Sequence, residues 1–341
     1  MVTVSSSVEP TDYLRQLLDD LEFAHLVVVA AQLGIADLVA SGPLSVADLA
    51  EATGADRQSL YRLLRTLASR GLFLEQERRQ FALTPLADPL RKDAPGSVRP
   101  QALWSGSEEY LRTWAALSHS VLTGEPAFEH VYGKRFFDYV AEHPAFGRIF
   151  DGVMTRASTE EGAAIAEAYD FSRHRTVVDV GGGQGALLAA ILDRYPPISG
   201  VLFDLPDVIG NAHGAIDRHV TSGRVEKVAG SFFDDLPPGG NAYLLKWIVH
   251  DWADEEAVQI LTNCRSGLAP DGRVLLVEFV LPQDATASDM TRLDATMLVF
   301  TGSRERTRSE YAELLQRAGL ELVRTHPTAS ALSILEAARA S

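Results

Sequence analysis

The stretch Thr176-Val-Val-Asp-Val-Gly-Gly-Gly-Gln-Gly-Ala-Leu-Leu188 decides the fold of this chain. An apolar run ends on Asp179 and breaks into closely spaced glycines, after which a helical pattern begins. This pattern predicts a strand, a tight turn and a helix start. Gly181, Gly183 and Gly185 carry no Cβ, so a ligand can approach the backbone closely and the turn can adopt positive φ at little cost. The stretch therefore predicts a cofactor-binding turn.

Two acidic residues indicate which cofactor the turn binds. The spacing Gly181-x-Gly183-x-x-Ala186 also satisfies the loose dinucleotide fingerprint. Asp179 is poorly placed beside a pyrophosphate, but it suits a ligand with an ammonium and a sulfonium, such as S-adenosylmethionine. Asp204 ends the next apolar run, and an acid at a second strand end typically binds ribose hydroxyls. The alternative is a turn whose glycines serve packing alone, and the two strand-end acids favour the nucleoside cofactor.

The composition is that of a globular protein without a nucleic-acid or membrane partner. Its 341 residues suggest two domains, and its net charge of -15 argues against phosphate binding as the main activity. No apolar run approaches the roughly 18 to 20 residues of a membrane span. The polar stretch from Val4 to Pro10 lacks the basic flank and apolar core of a signal peptide, so we expect a cytoplasmic protein. Cys264 is the only cysteine, which excludes an intrachain disulfide and a multi-cysteine metal site.

The N-terminal residues have the pattern of a winged helix. A first helix should end at Gly34, a capping box at Ser45-Val-Ala-Asp48 should open a second, and Asp56 should cap a third. Leu72-Phe-Leu-Glu75 and Phe81-Ala-Leu-Thr84 predict a hairpin. The third helix carries four arginines that could contact DNA, namely Arg57, Arg62, Arg65 and Arg70. Because the chain is acidic, we favour a solvated face on a domain that mediates association.

Residues 94–169 are predicted to be helical, and strands alternate with helices after Arg175. Strands are expected near 176–181, 199–205, 225–230, 241–249 and 272–281, then helices near 290–299 and 309–318, and a strand pair at 320–325 and 332–337. This order predicts an α/β, mostly parallel, doubly wound sheet with an antiparallel edge and ligands at the carboxyl ends of the strands. We expect a winged-helix domain over 1–95, a helical linker contributing to the substrate pocket over 96–170, and a cofactor-binding catalytic domain over 171–341.

A histidine lies at the end of the fourth predicted strand, beside the cofactor turn. His250 and Asp251 end this strand, and a histidine with the ordinary pKa of about 6.5 can take a proton from a bound hydroxyl. Its alternative role is structural, with a bond to a backbone carbonyl. Glu278 and Glu305 could each orient the imidazole. Their alternatives are a loop-edge acid and a solvated helix-start charge respectively.

Three further side chains could contact the cofactor. Lys246 interrupts an apolar strand, so its charge must reach an edge or a partner. Phe232 and Phe233 follow the third strand, where a flat ring could pack on adenine, although either could be core. No set of histidine, cysteine and carboxylate residues has metal-ligand spacing, and we expect no metal.

These stretches together resemble the S-adenosylmethionine-dependent small-molecule O-methyltransferases related to plant caffeate and flavonoid enzymes, including bacterial members that tailor aromatic secondary metabolites. Besides the N-terminal winged helix, the resemblance is carried by Val177-Val-Asp-Val-Gly-Gly-Gly-Gln-Gly185, Phe203-Asp-Leu-Pro206, Gly230-Ser-Phe-Phe233, Leu245-Lys-Trp-Ile-Val-His-Asp-Trp252, Gly272-Arg-Val-Leu-Leu-Val-Glu278 and Arg304-Glu-Arg-Thr307. It covers nearly the whole chain. It implies a Rossmann-like class I methyltransferase sheet and a homodimer joined through the N-terminal domain.

The resemblance also implies residue roles. His250 matches the catalytic base, with Glu278 and Glu305 as the acids that hold it. Cofactor contacts are implied for Asp179, Gly181, Gly183, Asp204, Leu205, Ser231, Phe232 and Lys246. Substrate contacts are implied for Trp104, Phe150, Met154, Asp251 and Met297. In many members an aspartate that contacts the adenine amino group replaces Ser231, and in plant relatives a pocket histidine replaces Ala157, which argues against a phenylpropanoid acceptor.

The implied reaction moves a methyl group from S-adenosylmethionine to a phenolic hydroxyl of an aromatic secondary metabolite such as a polyketide, leaving S-adenosylhomocysteine. One alternative is a related protein diverted to hydroxylation or decarboxylation of such a compound. Retention of His250 and both acids favours methyl transfer. A second alternative is a winged-helix regulator that binds DNA, which the acidic composition disfavours.

Overall fold

The structure, a computed structural model, describes residues 9–283 and 289–340. It divides into two compact units, Met1–Leu111 and Arg112–Ser341. Residues 4–8, which belong to the polar stretch that lacks signal-peptide features, lie outside the described residues. No helix within the described ranges is long and apolar enough to cross a membrane.

The N-terminal unit combines helices with a small antiparallel sheet. Its helices are α1 (Pro10–Gln32), α2 (Ile35–Leu38), α3 (Val46–Thr53), α4 (Arg57–Ser69) and α5 (Arg99–Ser105), its 3₁₀ turns are Glu77–Arg79 and Asp88–Leu90, and its strands are β1 (Leu44–Ser45), β2 (Phe73–Gln76) and β3 (Gln80–Leu83), paired in the order β1-β3-β2. Ser45 and Asp48 form the predicted capping box, and Asp56 accepts the N–H of Ser59 at 2.8 Å. The mainly helical domain with a hairpin is therefore confirmed.

Two of the four arginines of the predicted third helix make contacts within this unit. Arg70 forms an ion pair with Asp20, and its guanidinium lies 4.1 Å from the ring centroid of Phe23. Arg65 lies 5.6 Å from the ring centroid of Tyr61. These contacts fit the solvated-face interpretation, and the absence of a nucleic-acid partner stays a prediction.

The second unit consists of helices around a large twisted sheet, with α6 (Glu108–Ala115) crossing the division between the units. Its helices are α7 (Leu117–Thr123), α8 (Ala127–Tyr132), α9 (Phe136–Glu142), α10 (Pro144–Ala168), α11 (Ala186–Arg194), α12 (Pro206–Gly210), α13 (Asp217–Thr221), α14 (Asp254–Gly267), α15 (Asp289–Phe300) and α16 (Arg308–Arg317), with 3₁₀ turns at Phe171–Arg173 and Val249–Asp251. Its strands are β4 (Thr176–Val180), β5 (Ser199–Asp204), β6 (Val225–Ala229), β7 (Gly240–Lys246), β8 (Leu268–Leu281), β9 (Arg306–Thr307), β10 (Leu320–Pro327) and β11 (Leu332–Arg339).

The sheet has the order β10-β11-β8-β7-β4-β5-β6, and β9 pairs with β8. Pairing is parallel from β8 across to β6 and antiparallel between β8, β11 and β10. Residues of α10 and α11 pack on one face with Val177 and Leu244, whereas residues of α14 and α16 pack on the other face with Val178 and Leu245. Because both faces are covered, the central strands are continuous apolar runs. The predicted doubly wound sheet with an antiparallel edge is confirmed.

The fourth strand of this sheet, β7, ends earlier than the sequence predicts. It stops at Lys246 because Trp247 adopts a φ of 55°, which turns the chain out of the extended conformation. His250 and Asp251 therefore lie in the 3₁₀ turn after the strand rather than in the strand itself. A positive φ at a bulky residue is a strained conformation of the kind found at functional sites.

Candidate active site

The predicted glycine turn follows β4 at the carboxyl edge of the parallel strands. Gly181 has a φ of 67°, and a Cβ there would lie 2.5 Å from Ile248 Cδ1, so the position requires glycine. Gly183 has a φ of 57°, and no described atom lies within 4 Å of its Cβ position. The positive φ, rather than crowding, is therefore what favours glycine at position 183.

One buried and one half-buried carboxylate flank this turn. Asp179 is 2% exposed, and its Oδ2 accepts no hydrogen bond from any described residue. Burial, followed by the charge of Asp204, raises the pKa of Asp179 to about 7. Asp204 accepts the N–H groups of Gly183 at 2.8 Å and Leu205 at 2.7 Å, and burial raises its pKa despite these bonds. Such carboxylates favour a ligand that brings positive charge or hydroxyl donors.

Phe232 lies beside the same turn. Its Cε1 would be 3.6 Å from a Cβ on Gly181, and its ring packs edge-on against Phe233 and Trp252, with centroid separations of 5.1 and 5.7 Å. The hydroxyl of Ser231 accepts the N–H of Phe233 at 3.2 Å. Leu205 is 45% exposed at the end of β5. These positions are compatible with the predicted cofactor contacts, which stay predictions.

Lys246 is buried at the end of β7 and paired with α10. Its Nζ lies 3.0 Å from Glu161 Oε2, donates to Ser158 Oγ at 3.3 Å and sits 3.3 Å from the ring centroid of Trp247. Burial lowers the pKa of Lys246, and Glu161 partly opposes this effect. The sequence analysis missed Glu161 because an acid on a polar helix face gives no signal of its own. The neighbouring Glu160 pairs with Arg156 on the surface.

The structure brings the three predicted catalytic side chains together. His250 Nδ1 lies 2.7 Å from Glu305 Oε1 and 3.9 Å from Glu278 Oε2, and His250 Nε2 lies 3.6 Å from Asp251 Oδ1. The side chains of Glu278 and Glu305 are fully buried. Glu278 belongs to β8 and also accepts the N–H groups of Ile248 and Val249 at 3.2 and 2.9 Å. Glu278 is therefore not a loop-edge acid, and Glu305 is not a solvated helix-start charge.

The electrostatics of this cluster favour a strongly basic imidazole. Burial alone lowers the pKa of His250, but the charges of Asp251, Glu278 and Glu305 outweigh it and raise the pKa to about 10. Burial raises the pKa of Asp251 to about 6 and that of Glu278 to about 7, although His250 opposes both shifts. With Nδ1 held by Glu305, Nε2 is the nitrogen that can exchange a proton with a ligand.

Two residues that the sequence analysis did not single out hold the turn that carries His250. The buried Arg306 donates to the carbonyl oxygens of Val249 and Trp252, each at 2.9 Å, and pairs with Asp254 at 2.7 Å. The Ser303 hydroxyl donates to the carbonyl oxygens of His250 and Trp252. The sequence signal for Arg306 was the motif Arg304-Glu-Arg-Thr307. This motif supported the family resemblance, but it assigned no role to Arg306.

Aromatic side chains of the second unit form a cluster around Phe136. The ring centroid of Phe136 lies 5.3 Å from that of Phe150 on α10 and 5.6 Å from that of Phe300 on α15. Met297 belongs to the same helix as Phe300. Met154 follows Phe150 by one helical turn. Trp104 belongs to the N-terminal unit, where its ring packs edge-on against Tyr110 at 5.6 Å. Contact of these residues, and of Asp251, with a substrate remains a prediction.

No group of three or more His, Cys, Asp or Glu side chains in residues 9–283 and 289–340 is arranged to hold a metal ion. The fold and site together define an enzyme that binds a nucleoside cofactor at the carboxyl edge of a doubly wound sheet. Comparison with known proteins identifies the family. Residues 114–321 match the O-methyltransferase domain, and residues 16–93 match the O-methyltransferase dimerisation domain.

Similar proteins support the same assignment. The phenazine O-methyltransferase PhzM of Lysobacter antibioticus is 42% identical over 333 residues, which are 98% of this chain and 97% of that protein. The crystal structure of LaPhzM has a TM-score of 0.92 and 42% identity, over 97% of this chain and 100% of that one. An O-methyltransferase of neocarzinostatin biosynthesis, crystallised with S-adenosylmethionine and 2-hydroxy-5-methyl naphthoic acid, has a TM-score of 0.81 and 36% identity, over 93% and 95% of the two chains.

The chain belongs to the S-adenosylmethionine-dependent O-methyltransferase family. The predicted fold class, enzyme class and cofactor are therefore confirmed. The cofactor also fits the residues present, because the buried Oδ2 of Asp179, which accepts no hydrogen bond from the described residues, suits a cationic nucleoside.

Proposed function

We propose that this enzyme methylates a phenolic hydroxyl of an aromatic secondary metabolite, with His250 as the general base. The observation that carries the proposal is the buried imidazole held at Nδ1 by Glu305, 2.7 Å away, close to the turn that would hold the cofactor. The aromatic cluster around Phe136 favours a flat, apolar acceptor. Relatives named for a phenazine and crystallised with a naphthoic acid point to the same class of compound.

Separate groups of residues would bind the cofactor and remove the proton. Asp179, Asp204, Gly183 and Lys246 would hold S-adenosylmethionine, which supplies a methyl group activated by its sulfonium. His250 would accept the hydroxyl proton at Nε2, while Glu305 keeps the Nδ1 proton in place and stabilises the imidazolium that forms. Glu278 and Asp251 add negative charge that favours this protonated product. Orientation of the acceptor and removal of its proton are then the enzyme's contributions to the rate.

Replacement of His250 by alanine tests the base role. Turnover on a phenol panel should fall by roughly 10²- to 10⁴-fold, the usual contribution of a positioned base. Calorimetric binding of S-adenosylhomocysteine should change little, because the imidazole contacts the acceptor rather than the cofactor. His326→Ala is the matched control, since His326 pairs with Glu336 between the edge strands, 3.0 Å away.

Two results would contradict the proposal. Equal losses of turnover and cofactor binding in His250→Ala would make His250 a structural residue. Cofactor binding by the wild type without methyl transfer to any hydroxyl would favour the diverted hydroxylase or decarboxylase instead.

We further propose that the enzyme is a cytoplasmic homodimer joined through its N-terminal unit. Helix α1 exposes leucines at helical spacing, with Leu14, Leu17, Leu18 and Leu21 each at least half exposed. Such a stripe normally marks an interaction surface. The match of residues 16–93 to a dimerisation domain supports a second copy of the chain as the partner.

A further inference from the structure

Glu161 is a partly buried acid with no part in the proton transfer proposed above. Its side chain is 18% exposed and lies 3.0 Å from the ammonium of Lys246, whose side chain is 6% exposed. The Ser158 hydroxyl, one helical turn earlier on α10, accepts a bond from the same ammonium at 3.3 Å. A buried ion pair of this kind contributes little net stability, because desolvation offsets the attraction between the charges. Its position therefore needs another explanation.

The order of the strands indicates which part of the cofactor would reach this pair. Along the carboxyl edge, β6, β5, β4 and β7 are neighbours in that order. Phe232 follows β6, Asp204 ends β5, and Lys246 ends β7. Asp179 of β4 pairs with Leu244 of β7, and Lys246 follows Leu244 by two residues at the same edge of the sheet. A nucleoside with its ribose at Asp204 and its base toward Phe232 would extend its remaining end toward Lys246.

That remaining end of S-adenosylmethionine and S-adenosylhomocysteine is an α-amino acid, with one ammonium and one carboxylate. We propose that the Glu161–Lys246 pair binds this end, with Lys246 on the carboxylate and Glu161 on the ammonium. The proposal rests on the cofactor position proposed above. It adds Glu161 to the cofactor-binding residues and gives the buried ion pair its function.

The charges around the pair agree with this assignment. Burial lowers the pKa of Lys246, whereas Glu161, Glu278 and Asp179 each favour its charged form. Exchange of the Glu161–Lys246 contact for contacts with a zwitterion leaves every charge compensated. A ligand that lacks the amino-acid end would leave the pair intact and gain nothing from it.

Isothermal titration calorimetry with two ligands tests the proposal. S-adenosylhomocysteine carries the amino-acid end, whereas 5′-methylthioadenosine is the same nucleoside thioether without it. The full chain is compared as wild type, Glu161→Gln and the control Glu160→Gln, whose carboxylate pairs with Arg156 at the surface. Glu161→Gln should weaken S-adenosylhomocysteine roughly tenfold or more, the usual effect of losing a charged hydrogen bond. Binding of 5′-methylthioadenosine should be unchanged, and Glu160→Gln should match the wild type with both ligands.

The other outcomes are distinguishable. If Glu161→Gln weakens both ligands equally, or neither, the pair only fastens α10 to β7 and the inference is wrong. If the wild type binds neither ligand, the proposed cofactor site itself is wrong. Should Glu161→Gln fail to fold with Lys246 unpaired, the double variant Glu161→Gln/Lys246→Met removes that charge. It should lose S-adenosylhomocysteine selectively, and parallel loss of both ligands would overturn the inference.

Discussion

The imidazole of His250 is surrounded by three acids, and this governs how the enzyme should respond to pH. A base must be neutral before it can accept a proton, whereas Asp251, Glu278 and Glu305 all favour the protonated imidazole. The raised pKa of about 10 therefore predicts activity that increases as the pH rises above neutrality. The same negative charge stabilises the imidazolium formed when the acceptor loses its proton.

Glu278→Gln should shift this pH dependence to lower pH. Glu278 has a pKa raised to about 7 by burial, so its charge is present over the range in which His250 loses its proton. Removing a charge 3.9 Å from Nδ1 should lower the pKa of His250 by roughly one unit. The glutamine oxygen can still accept the N–H groups of Ile248 and Val249. The measurement is kcat/KM against pH, which reports groups in the free enzyme.

The control for this shift is Glu255→Gln, an acid that is 82% exposed on α14. The acid limb of the kcat/KM profile of Glu255→Gln should coincide with that of the wild type. An acid limb that stays in place, or moves to higher pH, in Glu278→Gln would mean that another group controls the rate.

For single residues, the sequence indicated which side chains belong to the candidate site better than it indicated which side chains contact one another. Asp179, Asp204 and His250 were recognisable because each comes at or just after the end of an apolar run in the sequence. Glu161 and Arg306 were not, because their importance depends on what packs against them from elements far away in sequence. The three-acid environment of His250 also depends on tertiary packing, since β8, the 3₁₀ turn after β7 and the loop before β9 each contribute one or more members.

Among the elements, α10 connects the two parts of the proposed site. Phe150, Met154, Ser158 and Glu161 follow one another at intervals of three or four residues, so they share one face of the helix. Phe150 contacts the aromatic cluster, and Glu161 contacts Lys246. One rigid helix can therefore align an acceptor with the cofactor, which is the geometric requirement of a direct displacement.

Residues at the loop between α15 and β9 stabilise the turn at Val249–Asp251. Arg306→Met should lower the free energy of unfolding by about 3 kcal/mol, because it leaves the carbonyl oxygens of Val249 and Trp252 without their charged donor and removes the buried one of the two arginines that pair with Asp254. It should also reduce kcat, since the turn positions His250 against Glu305. Denaturant unfolding and steady-state kinetics measure the two effects.

Arg304→Met is the matched control for this variant. Arg304 also pairs with Asp254, at 3.4 Å, but its side chain is 51% exposed. Exposed pairs contribute about 0 to 1 kcal/mol, so stability and kcat should stay near the wild-type values. Similar losses in both variants would assign the effect to Asp254 rather than to the carbonyl contacts of Arg306.

For the whole molecule, the order of helices and strands was predictable because hydrophobic periodicity and turn residues act locally. The parallel core and the antiparallel edge followed from the lengths of the connections. The end of β7 was predicted wrongly because the positive φ of Trp247 has no local sequence signal. The proposed dimer is a property of the assembled molecule. The exposed leucines of α1 offer a way to test it.

Leu18→Glu should dissociate the proposed homodimer. Leu18 is 68% exposed within the leucine stripe of α1, and burying a leucine contributes about 1.5 to 3 kcal/mol per copy. Since a symmetric interface loses this contribution twice and gains two charges, the dissociation constant should rise by at least roughly 10²-fold. Light scattering should give twice the chain mass of 37.1 kDa for the wild type and the single mass for Leu18→Glu. Leu74→Glu, which alters a 54% exposed leucine on β2, should remain dimeric. A dimeric Leu18→Glu together with a monomeric Leu74→Glu would place the interface on the hairpin instead of on α1.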